Sequence, residues 1–338
     1  MARKARPVFD ADRLVDEFKV YDRHVDVVSS FHWLYTQVTE LADTVAQFER
    51  YPSIKVGDKS LTPDFTVAFT DGSGMAGEVA NLSLRDESVE GLCRQLQGYA
   101  ELTEMPGPPN QKGHQAPLPV SPVDVLFLTP VAVAADAADR VLTQRVDDPE
   151  HWFSPPRRPV LVHYSQEPDK YVFLVWPAGN GTLHRGQREH VFGDRHTFRC
   201  LPDQFGPNKV QYGFMNDQVP GLYMATRLWT QVLPNSFWQD EATVPLAELV
   251  AAVKDQHEGH GNTREVRLGM QVLVAAGLAK ETVPDKEWVV TRRSLRRSDK
   301  DVAVAIAERV RKAAAPSATP PARRPRKATP GDGQETLF

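Results

Sequence analysis

Residues 61–102, LTPDFTVAFTDGSGMAGEVANLSLRDESVEGLCRQLQGYAEL, constrain this chain more than any other stretch. Asp64 opens an apolar extended run over 65–69. The sequence Thr70-Asp71-Gly72-Ser73-Gly74 then has the composition of a hairpin connection. A second extended run over 75–82 carries Glu78. The spacing next predicts a helix over 86–102, with Gln95 and Tyr99 four residues apart on one face. Two carboxylates on adjacent antiparallel strands can converge on one divalent ion. Oxygen ligands suit Mg²⁺, which commonly takes one or two carboxylates together with substrate phosphate.

In this order of elements the stretch resembles the core of the PD-(D/E)xK nuclease superfamily. Pro63-Asp64 matches the PD element, Glu78 the acidic position, and Gln95 to Tyr99 the Q-x-x-x-Y helix motif of the RecB-like branch. The resemblance implies that Asp64 and Glu78 hold Mg²⁺ or Mn²⁺ and that Gln95 and Tyr99 contact DNA. It also implies a Lys two residues after the Glu, to assist the attacking water. That position is Ala80 here. Lys59, Lys55 and Asn81 are the substitutes within reach of the sequence argument, although strand alternation turns Asn81 away from Glu78. The family often takes another acidic ligand from its first helix, and Glu40 is the candidate.

The elements around the motif suit such a core. Residues 25–48 read as an amphipathic first helix, with Val28, Phe31, Leu34, Tyr35, Val38, Leu41, Val45 and Phe48 near helical spacing. Residues 105–122 read as a Pro- and Gly-rich loop. The run 123–128 is continuously apolar, as a strand covered on both faces should be. Residues 131–146 read as a helix, and 160–164 with 171–176 as a strand pair. The region 181–235 offers no motif. Its His184, His190 and His196 lack metal-ligand spacing, and 219–232 reads as a helix.

Residues 246–254 and 263–278 read as helices, the second capped at Asn262 or Thr263 and ended by Gly277. A hairpin over 279–291 follows. Helix, helix and wing resemble a winged-helix domain over 236–300. The resemblance points to Arg264, Arg267, Gln271 and the wing-tip Lys286 as groove-facing, with Arg292 and Arg293 available to phosphate. Residues 313–333 are rich in Ala, Pro and basic residues and read as disordered. They end in Gln334-Glu335-Thr336-Leu337-Phe338, which resembles the bacterial sliding-clamp-binding pentapeptide. Leu337 and Phe338 would fill an apolar groove while Gln334 makes polar contacts.

Bulk properties agree with a protein that handles nucleic acid inside the cell. The net charge of −4 requires any DNA-binding surface to be a local patch. The two cysteines suggest neither disulfides nor zinc. No apolar run is long enough to span a membrane, and a cytosolic location is expected. The fold expected is α+β: a restriction-endonuclease-like core with a mixed sheet over 8–180, a connecting region, a winged helix and a disordered tail over 313–338. The function expected is a Mg²⁺-dependent DNA nuclease, or a nuclease-like DNA-processing protein, recruited to DNA by the sliding clamp. The alternatives are an inactive DNA-binding accessory factor that recruits a partner to the clamp and, further off, a winged-helix repressor. Retained carboxylates favour the enzyme; Ala80 favours the accessory factor.

Overall fold

The computed structural model describes residues 8–80, 85–109, 115–131, 142–175, 197–215, 217–236, 241–257, 259, 261–291 and 299–315. Helix α1 (Ala11–Gln37) starts at Asp10, whose carboxylate accepts from the backbone amides of Asp12 at 2.9 Å and Arg13 at 3.3 Å. Leu14, Phe18, Tyr21, Val25, Val28, Phe31 and Tyr35 recur at helical spacing along it and are buried. The first helix expected over 25–48 therefore begins fourteen residues earlier in the chain, at Ala11, and does not reach Phe48. A single turn, α2 (Thr39–Ala42), follows, and Val45 and Phe48 belong to strand β1 (Val45–Arg50). Their three-residue spacing fits a helix locally. Pairing decides the matter: β1 runs antiparallel to β4 (Phe65–Phe69), with Phe48 opposite Val67 and Arg50 opposite Phe65.

Between these strands, β2 (Ile54–Val56) and β3 (Lys59–Leu61) form a separate hairpin. Strand β5 (Gly74–Val79) returns beside β4, and α3 (Asp86–Ala100) follows where the spacing predicts it. The segment expected as loop instead forms a hairpin, β6 (Glu104–Pro109) with β7 (Gln115–Pro119). Prolines at both its strands hid it, since proline normally argues against strand pairing. Next come β8 (Val123–Pro130), β9 (Val160–Gln166), β10 (Tyr171–Val175) and β11 (Thr197–Cys200). The seven-stranded sheet has the order β1-β4-β5-β8-β9-β10-β11. It is parallel at its centre, β5-β8-β9, and antiparallel on both flanks. Every residue of β8 is buried, because helices cover both faces there.

One face of the sheet packs on α3, where Val89, Leu92, Cys93 and Leu96 meet Ala76, Val125 and Phe127. The other packs on α1. Phe31 stacks on Phe65 with ring centroids 5.3 Å apart, and Phe65 on Phe48 at 5.5 Å. Gly77 makes this possible. A Cβ there would sit 2.1 Å from the Phe65 ring, so a side chain would displace the stack.

The part of 181–235 that is described joins this body. Beyond the edge strand β11, α4 (Pro202–Gln211) lies on α1. Lys209 Nζ reaches Asp22 at 2.6 Å and Asp26 at 2.5 Å, and the Tyr171 hydroxyl donates to Asp26 at 2.7 Å. Burial works against the Lys209 ammonium, but Asp26 and Asp22 outweigh it and hold its pKa above the ordinary value. Helix α5 (Gly221–Arg227) continues through a π-helical turn (Leu228–Val232) into a last turn (Leu233–Ser236). Then come β12 (Glu241–Pro245), α6 (Leu246–Gln256), α7 (Thr263–Ala275), β13 (Ala279–Val283) and β14 (Glu287–Thr291). Their antiparallel sheet has the order β12-β14-β13. A capping box opens α7: Asn262 accepts from the Glu265 amide at 3.0 Å, and Glu265 accepts from the Asn262 amide at 3.0 Å.

A final helix, α8 (Asp299–Ala314), buries Val302, Ala303, Ile306, Ala307 and Val310 against α1, α5 and α7. It occupies the stretch between the predicted winged-helix unit and the predicted tail. One hydrophobic core runs from α1 through Leu222 and Met270 to Ile306. The architecture is α+β with a mixed sheet. Among the described residues no helix is long and apolar enough to cross a membrane.

Candidate active site

The β4–β5 register sets Phe65 opposite Gly77, so one residue further Asp64 stands against Glu78. The Asp64 amide donates to the Gly77 carbonyl at 2.9 Å, which extends the pairing to this pair. The Asp64 carboxylate is held at both oxygens. Oδ2 accepts from the Val79 amide at 2.7 Å, and Oδ1 lies 2.8 Å from His24 Nε2. Asp64 and His24 side chains are 13% and 17% exposed, enough for small groups to reach them from solvent. Glu78 Oε2 accepts from the Tyr99 hydroxyl at 2.9 Å. The residue before β4 thus meets side chains from β5, α1 and α3.

The two carboxylates strain each other. Burial pushes the Glu78 carboxyl up to about 8, with the Asp64 charge adding to the rise and the Tyr99 hydrogen bond partly offsetting it. A smaller push comes from Asp217, in the segment between α4 and α5. Burial and the Glu78 charge raise the Tyr99 phenol above its ordinary range, so it stays a donor. A site that stores repulsion between partly buried carboxylates is one that a cation would relieve.

The residues chosen from the sequence fare unequally. Asp64, Glu78 and Tyr99 come together. Gln95 is exposed on α3, one helical turn before Tyr99. Ala80 packs against the apolar cluster beneath α3, so nothing basic occupies the motif's Lys position. Lys55 and Lys59 are exposed on the β2–β3 hairpin. Neither appears among the hydrogen bonds to the two carboxylates or among the charges acting on Glu78. Asn81 lies outside the described residues, and so does the side chain of Glu40, which falls on α2.

His24 was missed, and the sequence held a signal for it. The series Leu14, Phe18, Tyr21, Val25 and Val28 continues the helical spacing back past residue 25, and His24 rides on it. Asp217 carried no local signal. Among the described residues no group of three or more His, Cys, Asp or Glu side chains is set to hold a metal ion. The donor set is a carboxylate pair with an adjacent imidazole. That suits an ion completed by water and substrate phosphate better than one caged by protein.

The second set of sequence candidates lies on the C-terminal unit. Arg264 and Lys286 are exposed, and Arg267 is half-buried. Gln271 is half-buried and donates to Asp285 at 3.2 Å, which ties it to the β13–β14 turn rather than leaving it to face a groove. Arg292, Arg293, Gln334, Leu337 and Phe338 lie outside the described residues. Comparison with known proteins finds no match: no family model, no curated protein and no solved structure matches this chain.

Proposed function

We propose that the chain is a divalent-metal-dependent deoxyribonuclease whose site is the cleft of Asp64, Glu78, His24 and Tyr99. The observation that carries this reading is the Tyr99–Glu78 hydrogen bond at 2.9 Å. It links the helix motif to the carboxylate pair, a convergence that stability alone does not require. Asp64 and Glu78 would hold Mg²⁺ or Mn²⁺, which when bound stabilises charge on the phosphodiester oxygens. Tyr99 fixes the Glu78 carboxylate and donates no charge of its own. His24 is held on Asp64, with Nε2 2.8 Å from Oδ1. In this reading it would serve in the role expected of Lys59, Lys55 or Asn81 and would accept a proton from the attacking water. Gln95, exposed on the same helix as Tyr99, would touch the phosphate backbone.

The helix–strand–helix–helix–strand–strand order over 221–291, with strand order β12-β14-β13, supports a winged-helix reading of the C-terminal unit. Arg264 and Lys286 are its exposed candidates for DNA contact. The terminal Gln334, Leu337 and Phe338 are proposed to bind the bacterial sliding clamp, which would raise the local concentration of the site on DNA. A second reading is favoured by Ala80, which sits in apolar packing where the motif has Lys. In that reading the same cleft binds DNA without cutting it, and the chain recruits a partner to the clamp.

A cleavage panel decides between them. Single-stranded, duplex, mismatched and branched DNA are incubated with Mg²⁺ or Mn²⁺, and Asp64→Asn, Glu78→Gln and His24→Ala are run beside the wild type. Cleavage lost in the carboxylate variants supports the enzyme. DNA binding without cleavage by the wild type on every substrate supports the second reading. Deleting 334–338 should abolish clamp capture and leave folding unchanged.

A further inference from the structure

Within one short stretch of α1 stand Asp22, Arg23, His24 and Asp26, and three of these side chains are committed. Asp22 and Asp26 hold Lys209 at 2.6 and 2.5 Å, and His24 lies 2.8 Å from Asp64. Arg23 makes no hydrogen bond or ion pair among the described residues. It is half-buried. Its Nε is enclosed, whereas its two terminal nitrogens are not and remain open to solvent. Enclosing one guanidinium nitrogen without a partner has a desolvation cost that a surface arginine avoids. The part left open is the fork that binds carboxylate or phosphate oxygens two at a time.

The helix aims Arg23. At about 100° per residue it projects between Asp26 and His24. Asp26 meets Tyr171 at the start of β10, and His24 meets Asp64 just before β4. Arg23 therefore points over the strands that lie between those two in the sheet, β5, β8 and β9. The sheet also curls round α1, since Phe31, two turns on, lies 5.3 Å from Phe65 on β4 and 5.2 Å from Phe173 on β10. β5, β8 and β9 are parallel, and the carboxyl ends of parallel strands are where such sheets bind ligands.

Tyr164, near the end of β9, feels both sides of this end of the sheet. Burial pushes its phenol up to about 12, the Arg23 charge opposes that rise, and the Asp64 charge adds to it. A polyanion approaching the cleft meets the carboxylates of Asp64, Glu78 and Asp217. An open guanidinium beside them offsets that repulsion. We propose that Arg23 binds a phosphate of the DNA strand, the one next along from the phosphate at Asp64 and Glu78. The position of that second phosphate rests on the nuclease reading; phosphate binding by Arg23 does not.

The test uses the full-length protein and a fluorescein-labelled oligonucleotide, with affinity measured in EDTA across a salt series. Arg23→Gln should weaken binding roughly 10-fold at low salt and lower the salt slope by about one. Arg23→Lys should keep the slope. Arg13→Gln, on the same helix but paired to Glu17, should also keep it. An unchanged slope in Arg23→Gln, or an equal drop in Arg13→Gln, overturns the proposal. In Mg²⁺ or Mn²⁺ the Arg23→Gln change should appear in KM. A fall in kcat at unchanged affinity overturns it, because the charge would then act on the reaction and not on the bound strand.

If Arg23→Gln does not fold, Arg23→Met keeps the apolar stem, and labelling of the wild type decides without any variant. Phenylglyoxal should modify Arg23 in the free protein, and saturating oligonucleotide should protect it severalfold, as read by mass spectrometry. Undiminished labelling overturns the proposal. Equal protection by inorganic phosphate at the same concentration shows a free-anion site and overturns it too. Binding with the slope change but no metal-dependent cleavage removes the nuclease reading and leaves Arg23 standing as a phosphate ligand. Cleavage with binding and KM unchanged in Arg23→Gln does the reverse.

Discussion

The carboxylate cleft and the C-terminal helix–strand unit were both marked in the sequence by element order and by polar residues at fixed places. In the cleft those residues meet. Asp64, Glu78 and Tyr99 come from three elements, and each has a partner that orients it. In the C-terminal unit they disperse. α7 is packed among α5, α6, α8 and β13, Gln271 is spent on Asp285, and of the described candidates only Arg264 and Lys286 are exposed. The expected order of helices and strands is therefore found in both places, but the chosen side chains meet only where the strand register forces them together.

The sharpest way to break this contrast is to remove the cleft's carboxylates. Asp64→Asn or Glu78→Gln should reduce metal-dependent cleavage by about 10³-fold or more, whereas Arg264→Ala should leave the turnover of bound DNA intact. Cleavage that survives both carboxylate changes would place the activity elsewhere. Next in size is Lys209→Met, which leaves Asp22 and Asp26 facing each other in the core between α1 and α4. Urea unfolding should show a loss of about 3–5 kcal/mol, the cost of an uncompensated buried charge. A small loss would mean that the two carboxylates find water.

Gly77→Ala should cost about 1–3 kcal/mol by overpacking the Phe31–Phe65–Phe48 stack, and should lower activity further by disturbing the strand pair that carries Asp64 and Glu78. A pH dependence comes next. His32 is neutral in the fold down to about 3, while an unfolded histidine protonates below about 6.5. Its contribution is therefore complete above pH 6.5 and is lost as pH falls from there toward 3, at up to ~1.4 kcal/mol per pH unit. His32→Phe, which keeps the ring against Phe48, should flatten that part of the stability profile. The smallest effect is expected in the C-terminal unit. Arg264→Ala or Lys286→Ala should weaken DNA binding evenly across sequences and lower the salt slope by about one. A change in base preference would instead show that α7 reads a groove.

How much was legible follows from the range of each interaction. The helix of Gln95 and Tyr99, the buried run of β8 and the β9–β10 pair were readable because their periodicity is local. The α8 helix lay in a stretch, 301–312, that the sequence reading left unassigned, although Val302, Ile306 and Val310 recur there at four-residue spacing. β1 was not readable, since its residues fit a helix until β4 is beside them. The β6–β7 hairpin broke the usual rule on proline.

For the site, the sequence alone determined which carboxylates and which tyrosine could act, because residue type and strand spacing are written in the chain. Only the tertiary structure decided the rest. It closed α1 over the strand ends so that His24 meets Asp64, a contact across forty residues of chain. It brought Asp217 within reach of Glu78 and set Arg50 and His32 together beside edge strand β1. Such contacts are fixed by how a helix packs on a sheet and where an edge strand ends. No local pattern encodes them, since the free energy that places them is shared by the whole core.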